Sequence, residues 1–239
     1  MKALISAAGL GSRIGKLTQD TNKCLLEVGG TPLLRHAFNT LAENGIDDVY
    51  IIVGYHADKI KEEFGDDVKY IYNEDYASTS ILGSVGLANK DIAGDEFIFM
   101  TGDSFMHPNV IRDFLKEEGD VLASIELKDC DEEDYKVILE DGKIATMSKD
   151  IPLDQADGEF TAMIKLSASA SKRFFENVDL VLNNQSNDKF VADMVLRLQE
   201  QGFDTKPVFS NEFPRIEIDF EEDLAKAQEM YAQQSGLDL

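Results

Sequence analysis

The chain from Ala3 to Lys16 passes from an apolar run into small residues and then into charge. Its start, Ala3-Leu4-Ile5-Ser6, suits a buried parallel strand. Ala7, Ala8, Gly9, Gly11 and Ser12 then carry little side-chain bulk, so the backbone can approach a ligand and the glycines can take positive φ. Successive N–H groups in such a turn form a concavity for anions. Arg13 and Lys23 add fixed positive charge nearby. The expected chemistry is the cradling of a nucleoside triphosphate. A Walker loop is excluded, because Gly15-Lys16 is followed by Leu17. A dinucleotide fingerprint is excluded too, because Ile14 stands where the third glycine belongs.

The charge distribution points the same way. The net charge is −23, which argues against nucleic acid or an anionic membrane surface as a partner. Residues 1–35 nevertheless hold five basic groups (Lys2, Arg13, Lys16, Lys23, Arg35) against two acidic ones (Asp20, Glu27), so the remainder carries −26. One cationic corner in an acidic chain is expected where a polyphosphate is held. The hydrophobic fraction of 43% is that of a soluble globule, and no apolar run approaches a membrane span. Cys24 and Cys130 have no metal spacing, and His36, His56 and His107 share none either. These features predict a cytoplasmic protein, with the oligomeric state left open.

Strands and helices alternate through the first half. Thr31 is expected to cap a helix with Pro32 at its first position and Gly45 beyond its end. Strands follow at 48–53, 68–72 and 97–101, with helices ending at Phe64 and spanning 80–88. This alternation predicts a parallel sheet with right-handed crossovers. The second half reads as a strand at 121–127, a hairpin over 135–149 turning on Asp141-Gly142, and a strand at 159–166. Helices at 170–177 and from Lys189 to Gln201, strands at 207–209 and 215–219, and a helix over 220–234 complete it. The expected fold is a single α/β domain over residues 1–239, a three-layer α/β/α sandwich on one continuous, mostly parallel, Rossmann-like sheet. Residues 1–104 form the nucleotide half and 105–239 the acceptor half.

The pattern Ala7-Ala8-Gly9-Leu10-Gly11-Ser12-Arg13 resembles the signature of the nucleotidyltransferase family with a GT-A-like α/β fold. A second motif half agrees: Asn22-Lys23, the apolar Cys24-Leu25-Leu26, a Gly29-Gly30 turn, then Pro32-Leu33. The family usually has proline before the lysine; Asn22 in its place is expected to loosen the loop. The resemblance implies that a phosphate or phosphonate oxygen attacks the α-phosphorus of an NTP and that pyrophosphate leaves. Such a reaction joins two anions, so it needs charge neutralisation and alignment more than proton transfer. Arg13 would grip the triphosphate and Lys23 the α-phosphate. Asp103, just past a strand end, would bind Mg²⁺ with Asp219, supported by Glu217 on the same strand face. Ser80 would meet the base or ribose, its alternative being an ordinary cap. Lys149 and Glu159 are the candidates for the acceptor.

Within the family, the length and Asn73-Glu74-Asp75-Tyr76 look like the compact cytidylyltransferases that use CTP and a small phosphorylated or phosphonylated acceptor, such as phosphocholine or aminoethylphosphonate. The acidic run from Asp129 to Asp134 reads as a solvated loop or as an attractor of a cationic amine. The chain has no tryptophan, so any cation–π contact must rest on tyrosine and phenylalanine. A sugar-1-phosphate nucleotidyltransferase using UTP, CTP or another NTP is the alternative. A GT-A glycosyltransferase would want Asp-x-Asp where Gly102-Asp103-Ser104 stands. A nucleotide sensor without turnover is argued against by the retained Arg13, Lys23, Asp103 and Asp219.

Overall fold

The computed structural model describes residues 1–183 and 190–235. Chain order begins with β1 (Lys2–Ala7), the short hairpin β2 (Glu27–Val28) and β3 (Thr31–Pro32), and α1 (Leu33–Glu43). Then come β4 (Val49–Val53), α2 (Ala57–Phe64), β5 (Lys69–Tyr72), α3 (Ile81–Gly86), α4 (Asn89–Ile92) and β6 (Phe97–Thr101). The second half holds β7 (Ser104–Met106), α5 (Pro108–Lys116), β8 (Val121–Glu126), β9 (Lys136–Glu140), β10 (Lys143–Ser148) and β11 (Gly158–Leu166). It ends with α6 (Ala168–Asn183), α7 (Val191–Glu200), β12 (Thr205–Phe209), β13 (Arg215–Glu217) and α8 (Glu221–Ser235).

Strands β6, β1, β4 and β5 lie side by side and parallel in the main sheet, with β5 at its edge. Side chains of β6, β1 and β4 are mostly apolar on both faces because both faces are covered, whereas β5 at the edge keeps only Ile71 buried. Ala3, Ile5 and Ala7 of β1 pack on the side of α1, α2 and α5, while Leu4 packs on the side of α3, α4, α6 and α7. Phe97 and Phe99 join the second group, and Phe97 meets both Phe174 and Phe175 of α6. The result is the expected three-layer α/β/α sandwich. β11 extends the sheet antiparallel to β6 and also pairs with β8 and β9. The β9–β10 hairpin turns on Asp141 and Gly142, both at positive φ (51° and 74°), the geometry this dipeptide favours.

Several local expectations are corrected. Thr31 does not cap α1. It pairs with Val28 across Gly29 and Gly30, which sit at φ 61° and 76° in a two-residue hairpin turn, so Pro32 stands before the helix rather than in its first turn. Gly29 has no room for a side chain, since a Cβ there would lie 2.2 Å from the Tyr231 ring. The helix expected over 80–88 is α3, capped by Ser80 and ending at Gly86; α4 follows it beyond the expected range. α5 was not anticipated, although Pro108 sits in its first turn and Val110, Ile111 and Phe114 recur on its buried face. The helix expected from Lys189 is α7; Lys189 itself lies outside the described residues.

The correction that matters most for the site concerns β13. It does not continue the main sheet. It pairs antiparallel with β7 in a separate ribbon, Glu217 opposite Ser104. The amide of Ile218 then donates to the Asp103 carbonyl at 3.0 Å. Ile218, Phe105, Leu33 and Ile14 share a third apolar cluster that anchors this ribbon beneath the signature loop.

Candidate active site

The loop after β1 is held open by side chains below it. Gly11 takes φ 61°, and a Cβ there would come within 3.0 Å of Cβ of Lys23. Gly9, in contrast, is not at positive φ, so the expected left-handed conformation applies to Gly11 and Gly15 (φ 33°) only. A Cβ on Gly9 would meet nothing within 4 Å, because its open side faces the cleft.

Asn22 tightens this loop instead of loosening it. Its backbone sits at φ −78°, ψ 143°, an extended conformation that suits proline equally well. Its buried side chain donates through Nδ2 to the carbonyls of Ala7 (2.9 Å) and Tyr55 (2.8 Å), and its Oδ1 accepts from the Cys24 amide (2.9 Å). Asn22 therefore ties the end of β1, the loop after β4 and the turn carrying Lys23 into one unit. Replacing it by alanine leaves three polar groups unpaired. Asn22→Ala is expected to cost about 2 kcal/mol of stability, read as a lower denaturant midpoint, and to raise the KM for the nucleotide. An unchanged midpoint would mean that the loop holds its shape without these bonds.

Five charged groups meet at the mouth of the cleft. Lys23 Nζ lies 2.7 Å from Asp103 Oδ2 and 2.8 Å from Asp219 Oδ1. Arg13 reaches Asp219 Oδ2 at 2.6 Å and Glu133 Oε2 at 2.9 Å. Burial opposes the charge on Lys23, but the two carboxylates outweigh it and raise its pKa above the ordinary lysine value. Burial likewise opposes the charge on Asp219, yet Lys23 and Arg13 hold its pKa below the usual carboxylate range. Glu217 stands apart. Its side chain is 37% exposed toward the cleft, but protein crowds it on its other sides. That burial, with the negative charge of Asp103 and Asp219, pushes its pKa up to about 7 despite Arg215. Cys24 lies behind Lys23 as a buried thiol, its pKa raised by burial and then by Asp103.

Two adjoining cavities flank this group. The smaller, about 220 Å³, is lined by Ala7, Ala8, Gly9, Gly11, Lys23 and Asp103. The larger, about 680 Å³, is lined by Arg13, Lys149, Glu159, Glu217 and Asp219 among others. Ile81 and Thr101 border both. Ser12 is exposed and lines neither. The Ser80 hydroxyl caps α3, accepting from the Gly83 amide at 3.1 Å, and borders the larger cavity; Thr79 and Ser84 line the smaller one. Lys149 lies 4.0 Å from Glu133, and Glu159 is buried with Lys128 Nζ at 3.0 Å.

The strand-face argument for Glu217 and Asp219 fails in detail. β13 ends at Glu217, and Asp219 lies in the bend before α8, its amide donating to Asp223 Oδ2 at 3.2 Å. Both side chains still face the larger cavity. Two features escaped the sequence reading. Arg215, only 5% exposed, joins Glu217 (3.1 Å), Glu159 (3.7 Å) and Glu126 (3.8 Å). Tyr135, Phe160, Phe190 and Phe220 give the larger cavity an aromatic wall. The signal available for Arg215 was a basic residue opening an acidic strand, a position where only a charge partner permits burial.

The donor set fits a hard cation. Asp103 Oδ1 is buried with no hydrogen-bond partner, an acceptor aimed at nothing in the chain. Magnesium commonly binds through one or two carboxylates together with substrate phosphates. Among the described residues, no three His, Cys, Asp or Glu side chains are grouped closely enough to hold a metal by themselves. Glu217 is thus not drawn in beside Asp103 and Asp219 as a third ligand. No described helix is long and apolar enough to cross a membrane.

A family model for the MobA-like NTP transferase domain matches residues 3–132, more than half of the chain. The chain belongs to this family. Among curated relatives of the chain, a choline-phosphate cytidylyltransferase of Streptococcus pneumoniae is 34% identical over 161 residues, 66% of each chain. A UTP–glucose-1-phosphate uridylyltransferase of Haloferax volcanii is 29% identical over 140 residues, 55% of this chain and 56% of that one. The match thus spans under two thirds of these relatives' lengths. The solved inositol-1-phosphate CTP transferase of T. maritima superposes with a TM-score of 0.76 over 100% of this chain and 98% of that one, at 19% identity. That likeness shows the nucleotidyltransferase fold.

Proposed function

We propose that the chain is a Mg²⁺-dependent cytidylyltransferase, joining CMP from CTP to a small phosphorylated or phosphonylated acceptor with release of pyrophosphate. The observation that carries this reading is the shared charge network between the two cavities: Arg13 and Lys23 on one side, Asp103 and Asp219 on the other. The smaller cavity, with its run of small residues, takes the nucleotide; the larger takes the acceptor. In the free protein the carboxylates neutralise the two cations. A triphosphate offers Arg13 and Lys23 denser negative charge and displaces the carboxylates from them. Lys23 then faces the α-phosphate, where charge builds as the acceptor oxygen forms its bond to phosphorus and the bond to the β-phosphate oxygen breaks. Arg13 suits the departing pyrophosphate because its planar fork matches phosphate oxygens. Asp103 and Asp219 would hold Mg²⁺, which supplies charge neutralisation on the phosphates when bound.

The walls of the larger cavity support an acceptor with a cationic head. Asp131, Glu133 and Asp134 of the acidic run line it together with Tyr135, Phe160 and Phe190, a combination suited to an ammonium. The choline-phosphate relative supports the same class. The uridylyltransferase relative favours the second reading, a sugar-1-phosphate nucleotidyltransferase. A matrix of four NTPs against phosphocholine, aminoethylphosphonate, inositol 1-phosphate and glucose 1-phosphate, read by pyrophosphate release, separates them. Turnover is expected with CTP and an amine-bearing acceptor. Preference for UTP with the sugar phosphate would establish the second reading, and no pyrophosphate from any pair would remove both.

A further inference from the structure

Lys136 is fully buried on β9, an unusual place for an ammonium. Its Nζ lies 3.4 Å from the carbonyl oxygens of Asp131 and Asp134. The turn between those residues is closed by its own side chains. Asp131 Oδ1 accepts from the amides of Glu133 (2.8 Å) and Asp134 (3.2 Å), and Asp134 Oδ2 accepts from the amide of Asp131 (2.9 Å). The turn thus directs carbonyls inward to Lys136 while Asp131, Glu133 and Asp134 border the larger cavity. Four consecutive acids from Asp131 to Asp134 repel one another, and an apolar residue in place of Lys136 would take from two carbonyls the buried donor they share. A buried cation there offsets both effects.

Resting on the reaction proposed above, we infer that Lys136 is a positioning residue: it touches no substrate but fixes the acidic turn as the acceptor-binding wall. Lys128 braces the same turn from the cavity side, with Nζ at 3.0 Å from both Asp134 and Glu159. Glu133 carries the turn's influence to the nucleotide side through Arg13. Lys136 is the part of this arrangement that no substrate can displace, because it lies behind the wall.

The test is Lys136→Met, which keeps length and apolar bulk but removes the ammonium. With CTP, Mg²⁺ and phosphocholine, its acceptor KM is expected to rise at least tenfold while kcat changes less than about threefold. Backbone hydrogen exchange at residues 131–134 is expected to quicken at least tenfold, with exchange in β1, β4 and β6 unchanged. Lys136→Arg, which restores donors to both carbonyls, is expected to recover most of both effects. Unaltered exchange at 131–134 in folded Lys136→Met, or equal losses in kcat and acceptor KM, would overturn the inference. If the native chain transfers no cytidylyl group, the exchange measurement still decides whether Lys136 holds the turn, separately from the reaction. If Lys136→Met does not fold, Lys136→Gln takes its place. Failure of both to fold would make Lys136 a core residue and overturn the positioning role.

Discussion

Lys23→Ala is expected to lower the rate of pyrophosphate release at saturating CTP by about 10² or more, the scale on which one preorganised electrostatic donor acts. The size follows from placement. Lys23 is mostly buried and packed beneath Gly11, so once a triphosphate has displaced Asp103 and Asp219 from it, its ammonium needs little further reorganisation as charge builds on a phosphate. Water entering the gap in the variant would have to be oriented during each turnover. The loss should fall on kcat more than on the KM for CTP, because Arg13 and the loop amides still bind the triphosphate. Removing Lys23 also leaves two partly buried carboxylates facing each other, so a lower melting temperature is expected without metal and a smaller decrease with Mg²⁺ present. Near-normal kcat in a folded Lys23→Ala protein would take Lys23 out of the chemistry.

Asp103→Asn is expected to reduce turnover by about 10² and to raise the Mg²⁺ concentration for half-maximal rate at least tenfold. Asn keeps the size of the side chain but replaces one oxygen by NH₂. One Asp103 oxygen already accepts from Lys23 and the other is buried without a partner. An NH₂ at the first position would point at an ammonium, and at the second would point where a cation is expected. Either orientation is unfavourable. Chelation of divalent ions should abolish pyrophosphate release from the native chain, and added Mg²⁺ should restore it. A variant with native Mg²⁺ dependence, or a chelated enzyme retaining its rate, would count against a metal at Asp103.

Much of this molecule was legible before folding because period and turn chemistry are local properties. The doubly buried runs at 49–53 and 97–101 announced central parallel strands, and Asp141-Gly142 announced its hairpin. The small residues from Ala7 to Gly11, with Arg13 and Lys23 close in sequence, announced an open loop beside two cations. The helix from Pro108 was legible as well, through its proline start and the spacing of Val110, Ile111 and Phe114, but remained unread. Thr31 misled because Gly29-Gly30 closes a hairpin first, and Ser80 retained both a capping and a binding interpretation because one hydroxyl can serve either.

Other features depended on residues distant in the chain. Asn22 stands where a proline is usual, and only the surrounding carbonyls of Ala7 and Tyr55 turn that change into a brace. Glu217 and Asp219 are near neighbours in sequence, but the pairing of β13 with β7 brings that segment beside Asp103. Burial of Lys136 and Arg215 likewise needs charges and carbonyls supplied by other segments. The sequence by itself determined where the small residues, cations and carboxylates of the site lie along the chain and which runs could form the sheet that carries them. The tertiary structure alone decided which carboxylates face Arg13 and Lys23, because that follows from strand pairing across long loops, an energy to which no local pattern contributes.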